Sequence, residues 1–319
     1  MITKLRLQNW KSFEDSTLYI DSLSILIGTN ASGKSNVLDA FAFLRAIGEG
    51  KRLVDAIQAV RGGEEWIVRR GEKGFCISLQ IEEEQTYLVD LRVQKNGDTF
   101  QYGSCDIHVK GEEKLKEAMP RQFGGTSYEM TWNVYGQSEA SLDLLPLIYR
   151  NFRNVFILDP MPARMRDYCR VSKELKSDGS NVAGVLCALG KSRQHKVEAL
   201  LSNYVRPLPE RDINKVISVP IGLTKSDAML YCYEDWNPEN PVDARGMSDG
   251  TLRFIAIVVA LLTAEPHSLL LIEEVDNGLH PSRAKELVDM LKQLSSERQV
   301  DVLCTTHNPV LLDELGNRM

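Results

Sequence analysis

Residues 22–48 read SLSILIGTNASGKSNVLDAFAFLRAIG, and this stretch decides the fold of the N-terminal region. Its first residues predict a buried strand, and the apolar residues that recur after residue 35 predict a helix that ends near Gly48. Between the two, residues 28–35 read GTNASGKS and match the pattern G-x-x-x-x-G-K-[ST] in full. This order of strand, glycine-rich turn and helix predicts a phosphate-binding loop rather than a chance glycine turn.

The residue types in this loop suit an anion. Gly28 and Gly33 permit backbone conformations that aim several N–H groups at one phosphate, and the helix N-terminus adds a partial positive charge. We expect Lys34 to reach the β- and γ-phosphates of a nucleotide and Ser35 to bind Mg²⁺ through its hydroxyl. The predicted nucleotide-binding residues are Gly28, Thr29, Asn30, Ala31, Ser32, Gly33, Lys34, Ser35 and Asn36.

A second informative stretch, SLLLIEEVDNGLHP, covers residues 268–281. Its apolar residues predict a strand buried on both faces, which ends in Glu273 and Glu274, where parallel sheets bind ligands. Because neighbouring strand residues point to opposite faces, we expect different roles for the two carboxylates. Glu273 is predicted to bind Mg²⁺, through water, and Glu274 to act as general base for an attacking water. Two solvated charges at a strand end are the alternative, which the phosphate-binding loop disfavours.

A third stretch, DVLCTTHNP at 301–309, predicts another buried strand that ends in Thr305, Thr306 and His307. A single histidine is more often structural than functional. Here it follows the strand next in sequence to the acidic one, which is where a sensor of the γ-phosphate is needed. We therefore predict that His307 contacts the γ-phosphate.

A fourth stretch, GMSDGTLRF at 246–254, predicts the start of a helix over 251–264, with Ser248, Asp249 and Gly250 as its cap and first turn. Taken alone it indicates a helix start and nothing more. Its position before the acidic strand, with the helix between them, gives it a functional interpretation.

The pattern of apolar residues predicts an α/β fold whose mixed sheet core carries an antiparallel β subdomain and a helical lobe. Residues 1–140 contain short alternating strands, and 75–134 predict an antiparallel sheet. Residues 141–240 contain helices followed by two strands. In residues 241–319 strands and helices alternate, which predicts a parallel sheet. We interpret these three parts as one discontinuous domain.

Composition and charge exclude several classes of protein. The chain of 319 residues has 38 basic and 44 acidic residues, a net charge of −6, so DNA contact would need a local basic patch. The candidate patches are Arg69 with Arg70, and the group Arg164, Arg166 and Arg170. The six cysteines show no CxxC spacing, so the sequence predicts neither a zinc site nor a redox pair. The apolar run at 254–264 is too short for a membrane span and the N-terminus lacks a signal-peptide core, so we expect a cytoplasmic protein without a membrane partner.

Together the four stretches resemble the ATP-binding-cassette ATPase superfamily, and within it the branch of SMC, RecF and OLD-type proteins. The opening KLRLQNWKSFED is similar to the start of that branch. The segments FILDPMPARMR and SDGSNVAGVLCAL are similar to compact predicted AAA-family ATPases. The resemblance implies a P-loop NTPase fold in which residues 28–35 are Walker A, 248–250 the signature motif, 275–278 the D-loop and His307 the switch histidine.

The resemblance also implies an activity, cofactors and partners. The cofactors are ATP and Mg²⁺, the metal ligands Ser35 and Glu273, and the catalytic residues Lys34, Glu274 and His307. Two copies would form an ATP sandwich, a homodimer in which Ser248 and the Gly250 amide contact the partner's nucleotide in trans. The implied activity is ATP hydrolysis that switches the dimer, in DNA-related processes and with a separate nuclease or toxin effector, as in anti-phage defence.

The sequence departs from the family pattern at several points. Asp249 stands where transporter ATPases have glycine, and Walker B ends in two glutamates, which makes the metal role of Glu273 less secure. Gln80 and Gln122 are the candidates for the Q-loop. No Toprim nuclease follows His307, and relatives continue with more sheet, so a truncated chain is one interpretation.

Other functions remain open at this stage. A DNA repair or recombination ATPase is the first alternative, and a nucleotide-gated assembly scaffold with negligible hydrolysis is the second. A P-loop kinase is disfavoured by the order of signature, Walker B and histidine. DNA binding through the two basic patches stays a candidate.

Overall fold

The computed structural model describes residues 1–110, 115–123, 127–135, 141–207, 213–279 and 283–311. The chain forms two compact units. The first consists of the described residues of 1–24, 29–156 and 267–269, and the second of those of 25–28, 157–266 and 270–319. The predicted division into 1–140, 141–240 and 241–319 stays a prediction.

The described strands are β1 (Ile2–Trp10), β2 (Phe13–Tyr19), β3 (Leu23–Ile27), β4 (Gly74–Glu82), β5 (Thr86–Asn96), β6 (Thr99–Val109), β7 (Leu115–Phe123), β8 (Ser127–Tyr135), β9 (Val155–Leu158), β10 (Cys169–Arg170), β11 (Ile213–Ile221), β12 (Asp227–Glu234), β13 (Asn237–Asp243), β14 (Leu269–Ile272) and β15 (Asp301–Thr306).

The described α-helices are α1 (Lys34–Gly48), α2 (Leu53–Gln58), α3 (Gly63–Trp66), α4 (Ser141–Arg153), α5 (Pro162–Met165), α6 (Val182–Ala188), α7 (Lys191–Val205), α8 (Asp249–Thr263) and α9 (Ala284–Arg298). A short 3₁₀ turn covers Ala244–Gly246. No helix among these described residues is long and apolar enough to cross a membrane.

A seven-stranded sheet dominates the first unit, in the order β2-β1-β4-β5-β6-β8-β7. Along β4, buried residues alternate with partly exposed ones, as expected for a strand with one face on a core. The antiparallel prediction for 75–134 is confirmed for most strand pairs but wrong for β6 and β8, which pair in parallel. The sheet is therefore mixed, because β8 lies between β6 and β7 and is parallel to the first and antiparallel to the second.

Helix α1 packs in this unit against α4. Most of its residues are buried, and Phe43 joins Trp10 and Phe75 in an aromatic cluster with ring centroids 4.9–5.8 Å apart. At Gly48 a side chain would come within 2.7 Å of the Arg153 backbone, so the close approach of the helices needs glycine there. The C-terminus of α1 is thereby fixed to the unit.

Strand order in a second sheet is β3-β15-β14-β9. The N–H of Leu269 donates to the Asn154 carbonyl and that of Glu273 to the Leu158 carbonyl, so β14 and β9 advance in the same direction. The N–H of Val275 donates to the Thr305 carbonyl, which sets the carboxyl ends of β14 and β15 side by side. The parallel sheet predicted for the last third of the chain is confirmed for these strands.

Helix α8 lies in the second unit and is buried along nearly its whole length. Its sequence, DGTLRFIAIVVALLT, is apolar on every face, as expected for a central helix. The same unit contains a sheet of order β10-β12-β11, in which β13 also pairs with β12. Helix α8 and the turn before it are therefore supported from several sides.

Candidate functional site

The phosphate-binding loop has the backbone that its glycines predict. Gly33 has φ +98° and forms the N-cap of α1, and Ala31 has φ +64°. The N–H of Ser32 donates to the Thr29 carbonyl at 3.2 Å, which closes the turn. A side chain at Gly33 would lie 3.0 Å from the Phe13 ring, so this position requires glycine for both conformation and space.

Lys34 is directed back over this loop. Its Nζ donates to the Thr29 carbonyl at 2.9 Å, on the loop's own backbone. An ammonium in this position, together with the N–H groups of the first helical turn, creates a positive concave surface. The loop can therefore hold a phosphate group through backbone and side chain together.

A buried ion cluster fastens the first turns of α1. Asp39 is 5% exposed and its carboxylate accepts hydrogen bonds from Lys11 Nζ and, at 2.9 Å, from Arg61 Nε. Arg61 also donates from Nη2 to the Ser35 carbonyl at 2.8 Å. Two cations compensate the one buried charge, and both connect the helix to other segments of the unit. Sequence analysis missed this cluster, although an aspartate on the apolar face of α1 is a signal for it.

Residues 9–13, which read NWKSF, are hydrogen-bonded to helix α1 as well. Trp10 donates from Nε1 to the Asn36 carbonyl at 2.8 Å, and Asn36 donates from Nδ2 to Ser12 Oγ at 2.8 Å. The turn between β1 and β2 is thereby held against the first turn of α1. These two bonds give a physical reason for the N-W-K-S-F sequence before a phosphate-binding loop.

A cleft of about 690 Å³ opens in the first unit beside the first turn of α1. Asn36 and Ser12 line it, together with the half-exposed Trp66. The Arg70 guanidinium lies 4.6 Å from the centre of the Trp66 ring, in a cation–π contact. The volume of the cleft is in the range of pockets for small molecules. An aromatic ring that carries a cation on its face suits a ligand with a flat base and phosphates.

The acidic residues lie in a turn rather than in a strand. Strand β14 ends at Ile272, so the prediction that Glu273 and Glu274 alternate across a strand to 274 is wrong. Glu274 has φ +48°, in the left-handed region, and its N–H donates to Thr305 Oγ1 at 2.9 Å. The turn stays beside the end of β15, because the Thr305 carbonyl also accepts from the Val275 N–H at 3.0 Å.

Glu274 and His307 come together at this turn. Glu274 Oε1 lies 4.0 Å from His307 Nδ1, and its Oε2 accepts a hydrogen bond from Asn277 Nδ2 at 3.1 Å. Both side chains are about half exposed, so water can reach the carboxylate. Thr306 Oγ1 fixes the neighbouring D-loop by donating to Asp276 Oδ1 at 2.6 Å. A carboxylate beside an imidazole, both open to solvent, can accept a proton from water.

The signature segment begins helix α8 as a second helix N-terminus. Ser248 is its N-cap and accepts from the Thr251 N–H at 3.1 Å, and Gly250 is buried. Gly278 has φ +78°, and a side chain there would lie 3.4 Å from the Gly250 backbone. The D-loop and the signature motif are therefore in contact within the second unit.

The arginines of the two predicted basic patches are engaged within the protein. Arg166 binds the residues before α8, Arg164 pairs with Asp178 at 3.1 Å, and Arg170 pairs with Asp227 at 3.5 Å. Arg69 pairs with Glu14 at 2.9 Å, and Arg70 stacks on Trp66. DNA binding through these patches stays a prediction, and the role of Arg166 is one that sequence analysis missed.

The remaining predicted residues can be placed only in part. Gln80 lies on β4 and donates to Glu82 on the same strand, and the side chain of Gln122 is outside the described residues. No group of three or more Asp, Glu, His or Cys side chains in the described parts of the chain is arranged as a metal site. Ser35 and Glu273 stay the predicted donors to Mg²⁺, a cation that proteins often hold through one or two side-chain oxygens and substrate phosphates.

Comparison with known proteins identifies a family and a fold. Residues 23–313 match the family described as "AAA domain, putative AbiEii toxin, Type IV TA system". This range contains the phosphate-binding loop, the signature segment, both glutamates and His307. A search of curated proteins finds no significant match.

Solved structures of SMC head domains are similar over 98% of this chain and 91% of each of theirs. The head domain from Thermotoga maritima has 15% identity and a TM-score of 0.52. An SMC head bound to the C-winged helix domain of ScpA has 15% identity and a TM-score of 0.56. A head with an extended coiled coil, bound to the C-terminal domain of ScpA from Pyrococcus furiosus, has 14% identity and a TM-score of 0.57. The chain therefore belongs to the AAA domain family matched above, and it has the α/β fold of SMC-head P-loop ATPases.

Proposed function

We propose that this protein binds ATP with Mg²⁺ at residues 28–36 and hydrolyses it in a head-to-tail homodimer. The observation that carries the proposal is the geometry of the loop. Gly33 caps α1 in a left-handed conformation, and the Lys34 ammonium is directed over the loop backbone. The cleft with Trp66 and Arg70 beside Asn36 supports a nucleotide over inorganic phosphate, because it offers a surface for the base.

The chain's own residues divide the work of hydrolysis. Lys34 neutralises charge on the β- and γ-phosphates, and Glu274 accepts the proton of the attacking water. His307 contacts the γ-phosphate. Ser35 and Glu273 would hold Mg²⁺, which neutralises the phosphate oxygens when bound.

The second half of each site comes from the partner copy. Ser248 and the Gly250 N–H lie at the N-terminus of α8, an end of a helix that attracts anions. In a homodimer these groups would contact the γ-phosphate held by the other copy, so each dimer would have two equivalent sites. ATP closes the dimer, and loss of the γ-phosphate opens it.

The family description suggests what the switch controls. It names a toxin of a type IV toxin–antitoxin system, which favours anti-phage defence with a partner effector over DNA repair. The two ScpA-bound SMC heads support a surface of this fold that binds another protein. A separate toxin or nuclease is therefore the partner we propose, and DNA is a second ligand to be tested.

The first experiment measures ATP hydrolysis and oligomeric state of wild type, Lys34→Ala and Glu274→Gln, with and without duplex DNA. We expect wild type to hydrolyse ATP, Lys34→Ala to lose nucleotide binding, and Glu274→Gln to remain an ATP-bound dimer. Glu297→Gln, on the exposed face of α9, is the matched control and keeps wild-type turnover.

Different outcomes select different functions. A monomeric Glu274→Gln with ATP contradicts the sandwich dimer. Binding of ATP without turnover in any condition favours the nucleotide-gated scaffold. Stimulation by DNA that declines steeply with salt favours a DNA repair or DNA-sensing ATPase.

A further inference from the structure

The segment before helix α8 is bound by one guanidinium. Arg166 follows α5, and its Nη1 donates to three backbone carbonyls, those of Ala244 at 3.1 Å, Arg245 at 3.2 Å and Met247 at 2.6 Å. Its Nη2 donates to the carboxylate of Asp249. All these acceptors lie within the six residues 244–249, which lead into the signature motif. A planar fork of five donors is the side chain that can satisfy such a set, and it stays charged at every physiological pH.

These contacts determine where the signature groups point. Met247 is buried and its carbonyl needs a donor, which Arg166 supplies at the shortest of the three distances. The next residue, Ser248, is extended and starts the helix. The direction of the Ser248 hydroxyl and the Gly250 N–H therefore depends on a loop in which three carbonyls accept from one side chain.

The same guanidinium compensates a charge that would otherwise oppose nucleotide binding. Asp249 lies between Ser248 and Gly250, and its side chain is 67% exposed. A free carboxylate at this position would repel the triphosphate that the neighbouring groups have to contact. Arg166 pairs with it, so the aspartate that replaces the glycine of transporter ATPases becomes an anchor for the loop.

We propose that Arg166 is a positioning residue that holds the signature loop ready for the nucleotide bound by the partner copy. The proposal rests on the proposed function, since it needs a composite site. Arg166 does not contact ATP in its own subunit. It acts on hydrolysis through the Ser248 and Gly250 backbone, and its effect is therefore in trans.

A complementation assay tests this directly. Arg166→Ala should bind fluorescent ATP like wild type, because its own phosphate-binding loop is unchanged, yet lose ATP-driven dimerisation and at least about tenfold of its turnover. Lys34→Ala has the opposite defect, because its phosphate-binding loop cannot hold ATP while its signature segment is intact. Mixed one to one, the two variants should recover about a quarter of wild-type turnover, because half of the dimers are mixed and each has one complete site.

The matched control is Arg164→Ala. Arg164 lies in α5, the short helix that Arg166 follows, is 66% exposed and pairs with Asp178 away from the signature segment. This variant should keep both dimerisation and turnover. Arg166→Lys, which keeps the charge beside Asp249 but lacks the fork, should fall between Arg166→Ala and wild type, and it replaces the alanine variant if that protein does not fold.

The outcomes separate this proposal from the proposed function. Absence of turnover in wild type contradicts the proposed function itself. With an active wild type, three results overturn the role of Arg166. These are full turnover in Arg166→Ala, failure of the folded variant to bind ATP, and mixtures with Lys34→Ala that recover nothing. Loss of DNA binding without loss of dimerisation would identify Arg166 as a DNA contact instead.

Discussion

Two helix N-termini in this protein are suited to anions, and they are held in different ways. At α1 the support is a buried carboxylate, Asp39, which pairs with the buried Lys11 and with the half-exposed Arg61. At α8 the support is a partly exposed arginine that binds backbone carbonyls before the helix. The first arrangement fixes the helix itself, whereas the second fixes the loop that leads into it.

The difference indicates what each end has to do. A loop that binds nucleotide within its own subunit has to be ready at all times, and a buried charged cluster is costly to break. A loop that meets a partner's nucleotide has to engage and release, and the hydrogen bonds of Arg166, whose ion pair with Asp249 is partly exposed, can be adjusted at lower cost. The variants below test this contrast, starting with the one that should have the largest effect.

Removing the buried carboxylate should cause the largest loss of stability. Asp39→Ala leaves Lys11 and Arg61 without their shared partner, and we expect the free energy of unfolding to fall by about 3 kcal/mol or more. Urea unfolding measures this change. Glu14→Ala breaks the exposed pair with Arg69 and should cost no more than about 1 kcal/mol. Equal losses in the two variants would show that the ion cluster does not fasten α1.

Removing one hydroxyl should weaken the acidic turn. Thr305→Val keeps the shape of a buried side chain but leaves the Glu274 N–H without its acceptor, which costs about 1–3 kcal/mol. We expect turnover to fall together with stability, because the left-handed backbone of Glu274 is no longer fixed. Thr305→Ser retains the hydroxyl and serves as the control. If valine and serine behave alike in both assays, this hydrogen bond does not position Glu274.

Adding one methyl group should disturb the phosphate-binding loop. Gly33→Ala introduces a side chain at φ +98°, and it also places a carbon 3.0 Å from the Phe13 ring. Gly71→Ala introduces the same strain at φ +89° with open space around it, at about 1–2 kcal/mol. Unfolding and nucleotide titration should show a larger loss for Gly33→Ala in both. Similar values would mean that strain alone, and not the contact with Phe13, makes this position glycine.

Changing one charge near the signature loop should have the smallest effect. Hydrogen bonds from the Arg245 guanidinium lower the pKa of the Asp243 carboxyl, so this pair stabilises the folded state at neutral pH. The contribution is lost as the pH falls through the lowered pKa of the folded state. Asp243→Asn should therefore shift the urea midpoint slightly at pH 7, and the shift should begin to shrink below about pH 4 and vanish once the pH is below the lowered pKa of the folded state. A shift that persists there would assign the effect to packing.

Much of the fold could be predicted from the sequence because local signals agree with it. The loop glycines, the Ser248 cap and the alternation along β4 each reflect a short-range rule, and the structure confirms the elements they predict. The α8 helix begins at Asp249, two residues before its predicted start, because Ser248 is the cap itself. Helix α9 begins at Ala284, and residues 280–282 before it lie outside the described residues.

The parts that could not be predicted depend on contacts between distant segments. The parallel pairing of β6 with β8 could not be predicted, because it depends on how β7 pairs with β8 rather than on the alternation within either strand. The end of β14 at Ile272 follows from the turn that Thr305 fixes, 31 residues after Glu274. Arg166 belongs to a basic group in the sequence, and only the structure shows that its acceptors are the carbonyls before α8.

Strand β3 is synthesised early but pairs late with its neighbour in the sheet. It ends at Ile27, whereas its neighbour in the sheet, β15, covers Asp301–Thr306. The seven strands of the larger sheet all end by Tyr135, so that sheet can assemble while later residues are still being translated. The strand that leads into the phosphate-binding loop gains its neighbour only after Thr306 has emerged from the ribosome. A nascent chain therefore displays β3 without this neighbour while the residues between the two strands are translated, and the sheet behind the phosphate-binding loop is completed after the larger one.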